Sequence, residues 1–289
     1  MFVVINADDL GLHPAVERAV EALGRQGVLT SASLLANGPR VEAAARLTTV
    51  AMGVHLNILR GRPVLAAERV GSLVTPEGRF LGNYVALGRR AALRRLDLEQ
   101  VEAEWAAQIE RVCDLGVRPS HLDSEKHIHC WPRMMPIVCR LARRYNVRWV
   151  RRTVERGVPM GSGSALARVF LLRWWARSHE VAEGVRWPDA VWGIADQGAR
   201  LCVARFVRYA RGLPAGAVVE IVCHPGDPRP GDPPLPADYG PMRVADQWQA
   251  EFAALREGSW PAVVARCGGR LVSYRELAEV AGGGGEPSE

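Results

Sequence analysis

Short apolar runs alternate with longer amphipathic stretches along almost the whole chain. Residues 2–7 (FVVINA) read as a buried strand, because apolar positions follow one another with almost no polar break. Similar runs recur at 30–36, 52–57, 119–123, 147–151, 190–195, 217–223 and 270–274. Helical periods fill most of the gaps. Residues 14–25 open with Pro14 near the start, where a missing N–H costs nothing. Residues 97–115 carry apolar side chains at 98, 101, 105, 109 and 112. Further periods lie at 134–144, 164–177, 199–211 and 243–257. Strand-like runs separated by helices predict βα units and a parallel sheet. The expected architecture is a distorted (β/α) barrel of the TIM type, of the α/β class, in a single domain over residues 1–281.

Some stretches break the rhythm. Residues 58–96 are loop-rich and are expected over one end of the barrel. Residues 225–241 hold too many prolines for a helix or an inner strand and predict a stiff surface loop directly after His224. The glycines at 282–285 mark residues 282–289 as a disordered tail. Residues 164–177 (SALARVFLLRWWAR) are apolar and basic, with adjacent Trp174 and Trp175. Such a helix suits a membrane surface or a lipid-linked substrate, and equally a core or a dimer contact.

Composition narrows the class. The 289 residues are 48% hydrophobic and 24% charged, which excludes wholesale disorder. No run of about 18 apolar residues occurs, so no membrane span is expected. Residues 1–5 run into Asn6 and two aspartates without a basic start, which predicts a cytoplasmic protein. The six cysteines (113, 130, 139, 202, 223, 267) form no C-x-x-C pair and have mostly apolar flanks. Reduced, mostly buried thiols are expected, not a disulfide framework or a zinc knuckle. The 37 basic residues exceed the 31 acidic ones by 6, and all but Lys126 are arginine. Arginine doublets at 89–90, 94–95, 143–144 and 151–152 lack any accompanying nucleic-acid motif, so they are read as solvated helix faces and ends, with no nucleic-acid partner.

The chemistry-bearing residues concentrate at strand ends. If the segment from His121 to His129 stays extended, His121, Asp123, Glu125, His127 and His129 share one face. Burying that row without a partner is costly, and a metal or a polar active site removes the cost. Asp8 and Asp9 end the first strand, where catalytic groups of barrel enzymes sit. One of them could hold a metal while the other takes a proton; a helix N-cap is the plainer alternative. His55 (in GVHLN) and His224 (in EIVCHPG) also lie in or just beyond strands. All these groups meet only if the barrel forms. His13 and His179 have no such context and are expected at the surface.

The motifs NADDLG, TSASLLANG, GVHLN followed by GRPV, HLDSEKHIHCWP and EIVCHPG resemble the YdjC/ChbG-like carbohydrate deacetylases, in the family's order, from residue 1 to about 275. Hopanoid-associated deacetylases share much of the pattern. The resemblance implies a barrel-like fold, a divalent metal, often a homodimer, and removal of acetyl from N-acetylated sugars such as chito-oligosaccharides. It implies Asp9 and His55 as metal ligands and Asp8 as general base. The family's third ligand is the first histidine of an HLDSHxHxH run, and this chain has Glu125 there. Three outcomes are open: Glu125 ligates directly, His127 replaces it, or the site binds metal poorly. A carboxylate at that position favours Mg²⁺ or Mn²⁺ over Zn²⁺, with magnesium the expected ion, and Lys126 could offset its charge. His224 is the expected general acid. His127, His129 and Trp131 are expected around the sugar, with Asp123 in support. The rivals are a non-hydrolytic sugar-binding relative and a metal-dependent barrel enzyme of another class.

Overall fold

Eight parallel strands organise the chain in a computed structural model, which describes residues 1–155, 170–172, 174–175, 184–235, 239 and 244–280. They are β1 (Phe2–Leu10), β2 (Ser31–Leu34), β3 (Ala51–Leu56), β4 (His121–Ser124), β5 (Trp149–Val150), β6 (Ala190–Trp192), β7 (Val218–Cys223) and β8 (Arg270–Leu271). Their order across the sheet is β5-β4-β3-β2-β1-β7-β6, with β8 pairing the first residues of β1. Every pairing between them is parallel. The outer strands approach through the segments beside them. Arg186 bridges to Trp149, and the Val191 N–H donates to the Val154 carbonyl at 2.9 Å. The sheet thus curls into a distorted barrel, as the alternation predicts. All eight strand-like runs are found, most of them shorter than expected.

The helices are α1 (Pro14–Arg25), α2 (Val41–Ala44), α3 (Tyr84–Ala92), α4 (Leu98–Asp114), α5 (Met135–Arg144), α6 (Val203–Ala210), α7 (Val244–Glu257), α8 (Trp260–Arg266) and α9 (Tyr274–Val280). α4 buries Val101, Trp105, Ile109 and Val112 against the sheet, the stripe that its period foretells. It also buries two polar side chains that fix the chain after β3. Glu104 accepts from the Val64 and Leu65 N–H groups, and Gln108 brackets both the N–H and the carbonyl of Asn57. Residues 57–65, which carry Arg60, are therefore held in place by α4.

Several expectations need correction. The stretch 58–96 contains α3, which the sequence hides because Gly88 interrupts it and Leu87 is its only buried residue. α8 and α9 are likewise unanticipated, and the last strand stops at Leu271 because α9 begins at Tyr274. Residues 225–235 form neither helix nor strand. Of the period over 164–177, residues 170–172 and 174–175 are described and helical; His179 and the tail at 282–289 lie outside the described residues. His13 is not a surface residue. It is buried as the N-cap of α1, its Nδ1 accepting from the Ala15 N–H, so the aspartates are free of that duty. All six cysteines are free: Cys130, Cys139 and Cys223 are buried, while Cys113 is exposed.

Candidate metal centre and active site

The carboxyl ends of β1, β3, β4, β5 and β7 open on one mouth, and their last side chains meet there. β1 supplies two groups because its ladder slips. It pairs with β7 without a break from Phe2 to Ala7, but its register with β2 shifts between Ala7 and Leu10. The extra residue is a bulge, with Asp9 at a φ of 65°, a left-handed conformation that aspartate tolerates better than most residues. Strict alternation would send Asp8 and Asp9 to opposite sides of the sheet. The bulge turns both into the mouth, where each is buried.

One cluster forms around Arg151, just beyond β5. Its two Nη atoms grip the two carboxylate oxygens of Asp8 at 2.9 and 2.7 Å. Nε and Nη2 reach Glu220 of β7 at 2.9 and 2.7 Å, and Nη2 lies 2.7 Å from Asp123. Asp123 also accepts from the Ser33 hydroxyl at 2.8 Å, and Ser33 accepts from the Asn6 amide at 2.9 Å. Burial opposes the charges on Arg151 and Asp123. Their mutual attraction nonetheless holds the guanidinium well above and the carboxyl well below its ordinary pKa, with Asp8, Glu220 and His55 assisting. For Glu220 burial prevails and raises the pKa.

A second cluster forms around His55 at the end of β3. Asp123 lies 2.8 Å from His55 Nδ1, which keeps a proton on Nδ1 and turns Nε2 into the mouth as the atom free to meet a ligand. Nε2 stands 3.7 Å from Asp9 Oδ1 and 3.9 Å from Glu125 Oε2. Both distances exceed a hydrogen bond. Burial and the charge of Glu125 push the Asp9 carboxyl up to about 6. Burial opposes a charge on His55, yet Asp123, Asp8 and Asp9 drive its pKa to about 10. Two carboxylates facing one imidazole, all buried, are the donor set that a divalent cation relieves. Asp9, His55 and Glu125 could hold one ion, their donor atoms all within 4.8 Å of one another; Asp8, His55 and Asp123 form an overlapping set. Asp8 and Asp123 are already taken by Arg151, so the Asp9 set fits a metal better. Glu125 turns its other oxygen to Arg60 and Lys126, each 3.7 Å away. Burial works against its charge, but these two cations hold its pKa below the ordinary value.

His224 follows β7 and stands 3.9 Å from Asp8 through Nε2. Its backbone N–H donates to Glu251 of α7 at 2.5 Å, and its Nδ1 lies 3.8 Å from the same carboxylate. Burial disfavours its charge, yet Glu251 and then Asp8 keep its pKa above that of a free imidazole.

A model of the family described as "YdjC-like protein" matches residues 2–266. The chain belongs to the YdjC-like family. Among its relatives, a carbohydrate deacetylase of Mus musculus is 32% identical over 99% of this chain and 97% of its own length. One of Geobacillus stearothermophilus is 32% identical over 96% and 98%. A solved structure from Enterococcus faecalis, provisionally assigned to cellobiose-phosphate cleavage, superposes with a TM-score of 0.72 at 24% identity, covering 96% of this chain and 98% of that one. That likeness supports the barrel.

Within this YdjC-like chain the extended row from His121 to His129 does not exist. β4 ends at Ser124, and the chain turns through residues 125–130, short 3-10 pieces broken by a kink at Lys126 and His127, whose φ are 52° and 56°. Glu125 is thereby swung toward His55, while His129 is taken inward. His129 is fully buried; Ser124 occupies its Nδ1 and the Arg151 carbonyl its Nε2, so it braces the turn and cannot touch a sugar. His121 is also buried, between Ser33 and Ser120. His127 is nearly buried, and Trp131 is partly exposed beside Trp175. The sequence reading missed Arg151, taken there for a solvated doublet, and Glu251. Arg151 had a usable signal: it follows a short apolar run at the same barrel end as Asp8, Asp123 and His224.

Proposed function

We propose that this protein is a metal-dependent carbohydrate N-deacetylase, with Asp9, His55 and Glu125 holding the ion. The observation that carries the reading is the commitment of His55 Nδ1 to Asp123, which leaves Nε2 facing Asp9 and Glu125. The names of the mouse and Geobacillus relatives support the reaction and the sugar. When bound, a divalent cation there would polarise the acetyl carbonyl and make water a better nucleophile. Two carboxylate donors and one imidazole suit Mg²⁺ or Mn²⁺ better than Zn²⁺.

The chain's own residues divide the remaining work. Asp8, oriented on both oxygens by Arg151, takes the proton of the attacking water. His224, whose charged form the nearby Glu251 carboxylate favours, returns a proton to the departing amine. Base and acid thus stand 3.9 Å apart, on neighbouring strands. Asp123 orients His55, and Trp131 and His127 are the side chains assigned to meet the sugar in this reading. The products are acetate and a free amino sugar. The test is acetate release from chito-oligosaccharides with Mg²⁺, Mn²⁺ or Zn²⁺ supplied. Turnover that disappears in Asp8→Asn and in His55→Ala supports the reading. No release from any N-acetylated sugar with any of the three ions refutes it.

A further inference from the structure

The large apolar side chains that the described residues leave exposed are not scattered. Tyr84, Val85, Leu93, Phe170, Leu171 and Trp174 account for all of them, and they fall in two short segments. Trp131 joins those segments. Its ring lies against Gly88 of α3, where a Cβ would sit 3.7 Å from Cη2, and its centroid is 5.8 Å from that of Trp175. Since Trp131 follows directly on the turn that carries Glu125, the patch borders the mouth of the barrel.

Charge separates the possible occupants of this face. Between Glu77 and Asp97 the chain has no acidic residue and five arginines. Arg89, Arg94 and Arg95 are exposed, and among the described residues no carboxylate pairs with them. Val85 and Leu93 line a groove of 510 Å³ whose other walls include Arg89, Arg90 and Arg95. Apolar side chains, aromatic rings and unpaired arginines on one surface are the composition that settles at an acyl–headgroup boundary. A second copy packed on this face about a two-fold axis would bring the arginines of both chains together, so self-association through this face is disfavoured.

We infer that α3 and the helical residues 170–172 and 174–175 dock this protein on an anionic phospholipid surface. The aliphatic side chains enter the acyl boundary and the arginines meet lipid phosphates. The full-length protein is mixed with vesicles of phosphatidylcholine alone, or of phosphatidylcholine with phosphatidylglycerol, and sedimented. Co-sedimentation is expected with the anionic vesicles only, and it should weaken as salt is raised. Two variants, Val85→Ser with Leu93→Ser and Arg89→Glu with Arg94→Glu and Arg95→Glu, should each lower the bound fraction at least about tenfold. Their thermal melts and their turnover of a water-soluble substrate should stay unchanged. No sedimentation with anionic vesicles overturns the proposal, and so does equal binding by the variants. Conversion of a dimer to a monomer by Val85→Ser with Leu93→Ser, vesicle binding being unaltered, would make the face a contact between copies. Salt-sensitive retention of duplex DNA without vesicle binding would assign it to nucleic acid instead.

Discussion

Two buried clusters share Asp123, and they solve the same electrostatic difficulty in opposite ways. Around Arg151, three carboxylates are drawn in to between 2.7 and 2.9 Å of one guanidinium. Around His55, Asp9 and Glu125 stand off at 3.7 and 3.9 Å. The first cluster carries its own cation and is closed. In the second, burial and then the facing charge of Glu125 raise the pKa of Asp9, and the donors stand apart, open to a cation from outside. Burial is the same in both, so burial alone does not mark a binding site. What marks it is whether the donors already satisfy one another.

The closed cluster should break hardest. Arg151→Met leaves Asp8, Asp123 and Glu220 buried without their counter-charge and should cost about 3–5 kcal/mol in urea unfolding. Arg151→Lys, which keeps the charge but not the fork, should recover part of it. Next comes acid. Burial depresses the pKa of His121 and of His129 to about 4. Above the unfolded value of about 6.5 neither histidine affects stability. As pH falls from there towards 4, the unfolded chain gains protons that the native one refuses, and stability is lost. The loss should approach about 3 kcal/mol per histidine, and His129→Gln should flatten the slope of unfolding free energy against pH.

The open cluster should answer differently. Asp9→Asn removes a proposed ligand while keeping a residue that accepts positive φ. It should weaken Mn²⁺ binding about 100-fold or more by calorimetry, yet raise the melting temperature of the metal-free protein, because Glu125 loses a facing charge. A lower melting temperature would show that Asp9 and Glu125 do not repel. The smallest effect is one of selectivity. Glu125→His should shift the Zn²⁺-to-Mg²⁺ affinity ratio about tenfold or more towards zinc.

The same contrast explains what was legible in the sequence. Strands announce themselves because both faces of a barrel strand are apolar, and the motifs at their ends place Asp8, Asp9, His55, Asp123 and His224 at one mouth. Alternation marks Glu125 as one of five polar groups on a face, and only the family pattern, which expects histidine there, singles it out as a ligand. Two left-handed residues, Lys126 and His127, undo the alternation that would have aligned His129 with it, and neither is a glycine that would have announced the turn. Arg151 looks like any other arginine in a chain with a single lysine. Its role lies in which partners surround it, and those come from residues 8, 123 and 220.

The sheet order also sets a timetable for assembly on the ribosome. Asp9, His55 and Glu125 all emerge within the first 125 residues, on or just after β1, β3 and β4, which β2 links side by side. β1 nevertheless keeps one edge bare until β7 is made, and its base waits for β8 at Arg270. The nascent chain therefore holds every donor of the proposed ion site long before His224 and the closing strands arrive. Its unpaired first strand is exposed to wrong partners throughout that interval.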